Sequence, residues 1–261
     1  MRVLSFQLPM KLGNISSNKE KFLSSLSEVV DEQPSIVILP EMWATGFDYK
    51  NLNKFSEETE KICSEISSML NKNTLVISTL PEGNYNKVYN TIYAISSDGV
   101  IASYRKNFLF TPLNENAYID NGDGITVFEF MNVQIGLLLC YEIRFPELFR
   151  LTASAGAEII IVPAVWTAAK KDHWLTLLRA RAIENQCYIA GCNTSVMHGK
   201  KDMQCGYSAM FDPWGEFVYQ PSADEGIYEG YFNSNEVKEI REKIPSFNDA
   251  LNSFVINRKY Y

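Results

Sequence analysis

The sequence predicts an α/β fold in which helices cover mixed β-sheets, and three features carry that prediction. Runs of branched apolar residues, SIVIL at 35–39, TLVISTL at 74–80 and VQIGLLL at 133–139, have the length and composition of strands buried on both faces. Between several of them lie segments with apolar residues at helical spacing, which makes the strand–helix–strand unit of helix-covered sheets. Ser97-Asp98-Gly99, between 89–95 and 100–105, signals a hairpin because Asp-Gly accepts positive φ, so antiparallel strands join the parallel ones. Two such halves put helices outside and two sheets face to face inside.

Residues 3–7 form a first strand. Phe22, Leu23, Leu26, Val29 and Val30 share one face of a helix over 16–30, behind a Ser- and Asn-rich start suited to N-capping, and Pro34 ends that region. The strand 35–39 then delivers LPEMWATGF. Ile62, Ile66, Met69 and Leu70 mark a second amphipathic helix, on which Cys63 is a packing residue; strand 74–80 and the hairpin 89–95 with 100–105 follow. Another hairpin, 125–130 with 133–139, ends at Cys140. Pro146, whose missing N–H has no partner in a first turn, starts a helix to 155 that Gly156 closes. Strand 157–162 comes next, then a helix capped by Asp172 and running to 186, with Trp174, Leu177, Leu178, Ala182 and Ile183 inward, then strand 187–193. Residues 207–211 and 217–220 pair across the turn signal Asp212-Pro213-Trp214-Gly215. A strand at 227–232 and a helix over 235–243 lead to IPSFND and a tyrosine-rich tail.

With 261 residues, 46% of them hydrophobic, the chain can bury a large core, and no Pro/Gly/Ser-rich linker or charge block divides it, so one domain over 1–261 is expected. The net charge of −7, a pI near 5.0 and the lack of a Lys/Arg cluster argue against a nucleic-acid partner and for a small molecule. No apolar run approaches the ~18 residues of a membrane span. MRVLSFQLPM reads as a strand and not as a signal peptide. Five cysteines without CxxC spacing point to a reducing cytoplasm, with neither a disulfide framework nor a zinc site.

Three chemically distinct residues fall just past strands. Cys140 follows a buried run; free cysteine is most often an inert small hydrophobe, but at a strand end, beside backbone N–H groups, a thiol is placed to attack a bound carbonyl. Glu41 sits among Leu39, Pro40, Met42, Trp43 and Phe47. A loop carboxylate is ordinarily solvated, whereas one held in an apolar wall is shifted toward neutral pH, where it takes and returns protons. Lys106 lies against Phe108 and Phe110, where a lysine ordinarily protects a sheet edge. Glu115 is either a solvated loop residue or a second carboxylate of the site. Trp166, after the PAVW strand end, lines the same mouth or packs. His173 is a structural hydrogen-bonder, and Cys187, Cys192 and Cys205 need no role beyond packing.

LPEMWATGF, YRKNFLF and GLLLCYEIRFPELFR resemble, in order and spacing, the three signature segments of the nitrilase superfamily of carbon–nitrogen hydrolases. HWLTLLRARAIENQCYIAGCN, FDPWGE and IPSFND look like its omega-amidase branch, so the resemblance spans nearly the whole chain. It implies a four-layer α-β-β-α sandwich that forms a homodimer and uses no metal and no organic cofactor. The substrate class it implies is the 2-oxo dicarboxylic acid monoamide, such as 2-oxoglutaramate or 2-oxosuccinamate. It also implies Glu41 as general base and acid, Lys106 as stabiliser of the tetrahedral intermediate, Cys140 as nucleophile and Glu115 as auxiliary glutamate. Many relatives have His two residues after the lysine; this chain has Phe108. Arg144 either meets a substrate carboxylate or pairs with Glu142 or Glu147, the internal pair being expected.

The chemistry expected from these groups is attack of Cys140 on an amide carbon. The oxyanion is held by Lys106 and the N–H of Tyr141, and Glu41 shuttles the proton through a thioester. Glu41 and Lys106 are expected to favour the thiolate. N-carbamoyl, simple amide and nitrile hydrolysis use the same three residues, and a silent scaffold on this fold is the alternative of another class.

Overall fold

The computed structural model describes residues 1–85, 87–247 and 249. Its first half runs β1 Arg2–Gln7, β2 Met10–Lys11, α1 Ile15–Val29, β3 Ser35–Ile38, α2 Leu52–Ser56, α3 Thr59–Met69, β4 Thr74–Asn84, β5 Lys87–Ser96 and β6 Gly99–Arg105. The second runs β7 Thr126–Phe130, β8 Val133–Leu137, α4 Pro146–Ser154, β9 Ile159–Ala164, α5 Lys171–Asn185 and β10 Tyr188–Asn193. After these come β11 Val196–His198, β12 Met203–Gln204, β13 Ala209–Phe211, β14 Gly226–Tyr231 and α6 Ser234–Lys243.

Two mixed sheets result, in the orders β14-β1-β3-β4-β5-β6 and β13-β10-β9-β8-β7. β1, β3 and β4 are parallel, as are β8, β9 and β10, with antiparallel strands toward the edges. Alternation along each strand sets the layers. Ile36 and Ile38 of β3 and Leu75 and Ile77 of β4 share a core with Leu137, Ile161 and Ala190 of the other sheet. Val37 and Val76, pointing the opposite way, join Phe22 and Leu26 of α1 and Ile62 and Ile66 of α3. On the far side α4 and α5 approach closely: a Cβ on Gly191 would lie 2.6 Å from the Trp174 ring, and one on Gly136 would lie 2.3 Å from Thr152. The order is therefore helix, sheet, sheet, helix. Each fully buried Leu, Ile or Val contributes about 1.5–3 kcal/mol, so the double face of every central strand is the main source of cohesion.

Four expectations need correction, the first being Ile183, expected to face inward from its helix but exposed. β4 does not stop at Leu80 but runs through Pro81 to Asn84 and forms a long hairpin with β5. Pro81 is tolerated because β3 pairs with β4 only as far as Ile77, leaving that stretch an edge on which a missing N–H costs nothing. Residues 217–220 form no strand: contact with β13 is one bridge, Phe211 to Phe217, and a bond from Val218 N–H to Met210. The chain then turns so that Tyr219 reaches Ser5. Asp172 is not the cap of α5, which begins at Lys171, but lies in its first turn. A third, three-stranded sheet, β12-β11-β2, has strands too short for periodicity to reveal. Asn248 of IPSFND and the tyrosine-rich tail lie outside the described residues.

Candidate active site

The carboxyl ends of β3, β6 and β8 open on one edge of the molecule, and the residues just past them meet there. The Glu41 N–H donates to the carbonyl of Ala164 at the end of β9 (3.3 Å), which ties the two sheets together at this edge. Met42, with φ of 51°, turns the chain back. The Glu41 side chain is fully buried, yet its wall is not only apolar. Its Oε1 accepts from Lys106 Nζ at 2.9 Å and from Asn90 Nδ2 at 2.8 Å, and its Oε2 accepts from the Val165 N–H at 3.2 Å.

Lys106 follows β6 and is anchored by its own N–H to the Asn90 carbonyl (2.9 Å). Its ammonium lies between Glu41 and both oxygens of Glu115, each at 2.9 Å. Burial alone would lower its proton affinity, but the Glu41 and Glu115 carboxylates outweigh that and hold the ammonium well above the ordinary lysine range. Glu115 is no solvated loop residue: it is buried, and the left-handed Asn114 before it turns the carboxylate inward, where it also accepts the Phe110 N–H at 2.5 Å.

Cys140 opens a 3-10 turn, Cys140–Arg144, and adopts φ of 41°, a left-handed conformation uncommon for a residue with a Cβ. As the opening residues of the turn, Cys140 and Tyr141 have N–H groups with no partner inside it. The thiol sits 3.8 Å from the Val165 carbonyl. Burial first, and then the Glu41 carboxylate, push it well above the ordinary thiol range, with Lys106 opposing and losing. The expected thiolate is thus overturned in the resting site, where the sulfur keeps its proton.

Glu142, expected only as a pairing partner for Arg144, has a different place. It is fully buried and accepts from the Leu139 N–H (2.7 Å), the Asn107 N–H (2.6 Å), the Phe108 N–H (3.2 Å) and the Tyr104 hydroxyl (2.8 Å). The carboxylate straps the turn bearing Cys140 to the segment bearing Lys106. Burial pushes it up to about 7 against these hydrogen bonds. Arg181 of α5 braces the turn from behind through the Ile143 carbonyl (2.9 and 3.0 Å).

Glu142 therefore does not pair with Arg144, and neither does Glu147. The Arg144 guanidinium stacks over Trp166, 4.8 Å from the ring centre, and approaches His173 Nδ1 at 3.4 Å. A cavity of about 340 Å³ collects Glu41, Lys106, Glu115, Cys140, Tyr141, Arg144 and Trp166, all seven of the residues singled out. Trp166 both lines it and packs on Trp174, and its indole N–H donates to the Lys170 carbonyl. Lys170 and Tyr49 also line the cavity, unanticipated; burial and then Glu115 push the Tyr49 phenol up, so it stays neutral. Phe108 stacks on Phe145 (4.0 Å, 12°) and does not line the cavity. Three cations and two carboxylates in one hollow suit an anionic ligand.

The sequence profile of the carbon-nitrogen hydrolase family matches residues 2–242. The chain is 34% identical to a 2-oxoglutaramate amidase of Bacillus subtilis over 253 residues, covering 93% of this chain and 95% of that protein. It is 29% identical to human omega-amidase NIT2, over 93% and 94% of the two chains. The solved structure of Saccharomyces cerevisiae Nit3, a member of branch 10 of the nitrilase superfamily, superposes with a TM-score of 0.84 at 25% identity, covering 94% of each chain.

Proposed function

Since the chain belongs to the carbon–nitrogen hydrolase family and acts on amides, we propose that it releases ammonia from the terminal amide of a small 2-oxo dicarboxylic acid monoamide. The observation that carries this reading is one hollow holding Glu41, Lys106 and Cys140 at its floor and the guanidinium of Arg144, without a carboxylate partner among the described residues, at its rim. The substrate, of the 2-oxoglutaramate or 2-oxosuccinamate type, is supported by likeness to the Bacillus subtilis 2-oxoglutaramate amidase. Arg144 meets the carboxylate and the amide carbonyl points to the floor.

Cys140 attacks the amide carbon while its proton passes to Glu41 Oε2. Because the thiol is held protonated, the base is needed in the same step. Lys106 and the Tyr141 N–H hold the oxyanion, where one lost donor typically costs ~10²–10³ in rate. Glu41 then gives that proton to the departing nitrogen, the carbon–nitrogen bond breaks, ammonia leaves and a thioester remains. Water, deprotonated by Glu41, attacks the thioester; the sulfur leaves and takes the proton back as the acid is released. Glu115 fixes the Lys106 ammonium from the side away from Glu41.

The reading takes the chain as one catalytic domain acting in the cytoplasm as a homodimer. Leu151, Ile183 and Trp214, exposed on and beside the outer helices α4 and α5, offer the apolar face such a pairing needs. Ammonia and oxo-acid formation should be measured over 2-oxoglutaramate, 2-oxosuccinamate, N-carbamoyl amino acids, simple amides and nitriles. Preference for an uncharged amide or an N-carbamoyl compound would reassign the substrate, and no turnover of any would leave a binding protein.

A further inference from the structure

Asn90 is fully buried in β5, and no rule of sequence pattern marks it as part of the site. Its Nδ2 donates to Glu41 Oε1 at 2.8 Å and reaches Glu115 Oε1 at 3.5 Å, and its backbone carbonyl accepts the Lys106 N–H. Its Oδ1 is buried and has no partner among the described residues. A buried amide with one satisfied end is a net cost to folding, and it is found where something other than stability fixes it. Rotating the amide would turn Oδ1 onto two carboxylates, so the acids themselves set its direction.

We propose that Asn90 is a positioning residue for the reaction, which selects the working oxygen of Glu41. This rests on the reading of Glu41 as proton carrier given above. Oε1 is saturated by Lys106 and Asn90. That leaves Oε2, on the Val165 side where the thiol lies, as the oxygen that exchanges protons. Lys106 alone cannot hold the plane of the carboxylate, because its ammonium is shared with Glu115 and rotates about its own axis.

The test uses the full chain, with 2-oxoglutaramate as substrate and Cys140→Ala as the blank. Asn90→Leu keeps the volume and removes both the donor and the orphaned acceptor; its kcat should fall about 10- to 100-fold, with KM changed by less than about twofold. The acid limb of its kcat/KM profile should move to higher pH, since a carboxylate that loses a donor holds its proton longer. Its melting temperature should not fall. Asn90→Ser, smaller and still polar, should shift the limb the same way. Alkylation of Cys140 by iodoacetate against pH, read by mass, follows the same alignment with no amide present and so separates this proposal from the choice of substrate. Wild-type kcat and pH profiles in both variants overturn the proposal. So does an unaltered alkylation profile, or activity lost only in step with folded protein.

Discussion

At the floor of the cavity every charged atom meets another protein group: Lys106 lies between two acids, Glu41 takes three hydrogen bonds and Glu115 four. At the rim, Arg144 rests on an indole face and Lys170 is exposed, and neither pairs with a carboxylate among the described residues. The acids of the floor are fixed by their surroundings, whereas the rim keeps donors in reserve for a ligand. The floor is built just past the ends of β3, β6 and β8, with Glu115 on a short 3-10 turn. The rim is built on turns and on the three- and two-residue strands β11 and β12.

The division predicts separable damage. The largest effect is at the sulfur: Cys140→Ala should lower ammonia release more than about 10³-fold with the fold kept, and unchanged turnover would remove the enzyme reading altogether. Glu41→Gln should cost about 10²–10⁴-fold. The same variant should show thiolate absorbance at a lower pH than wild type, because a carboxylate that holds the thiol up is gone while Lys106, which pulls it down, stays. A thiolate transition at the same or higher pH contradicts the electrostatics given for the floor.

Rim damage should appear in KM. Arg144→Gln should raise KM for 2-oxo acid monoamides about 10- to 100-fold, the worth of a charge-assisted hydrogen bond, and leave turnover of an uncharged amide within about threefold. Equal losses on both substrates would mean that Arg144 serves the floor. The smallest effect is one of stability. Glu142 is raised from 4.5 to about 7 in the fold, so its contribution is complete below pH 4.5 and is lost as pH rises through 7. Denaturant unfolding of Glu142→Gln should therefore gain on wild type across that interval, and a constant difference would refute the assignment.

The same division governed what the sequence disclosed. Glu41 and Cys140 stand just past continuous apolar runs and Lys106 just past the returning strand of a signalled hairpin, and strand ends are the best-marked points of an α/β chain. The four layers followed from the same runs. Asn90, flanked by Tyr89 and Thr91, reads as an ordinary strand position, because only the arrival of Glu41 past the end of β3 and of Lys106 past the end of β6 makes its surroundings an acid pocket. Glu142 lay within pairing distance of Arg144 along the chain. It went instead to backbone N–H groups 34 and 35 residues upstream, and local spacing carries no trace of that choice. Pro81 hid the β4–β5 hairpin because proline reads as a stop wherever strand pairing is unknown.

The acid and the amine stand on one sheet and the sulfur on the other, so the distance across which they cooperate is the spacing between two layers. Any slippage of one layer over the other, by heat or by pressure, is reported at once as lost chemistry. Inactivation should thus run ahead of melting, and a ligand that bridges both layers should act as a rivet, raising the temperature at which the enzyme falls silent.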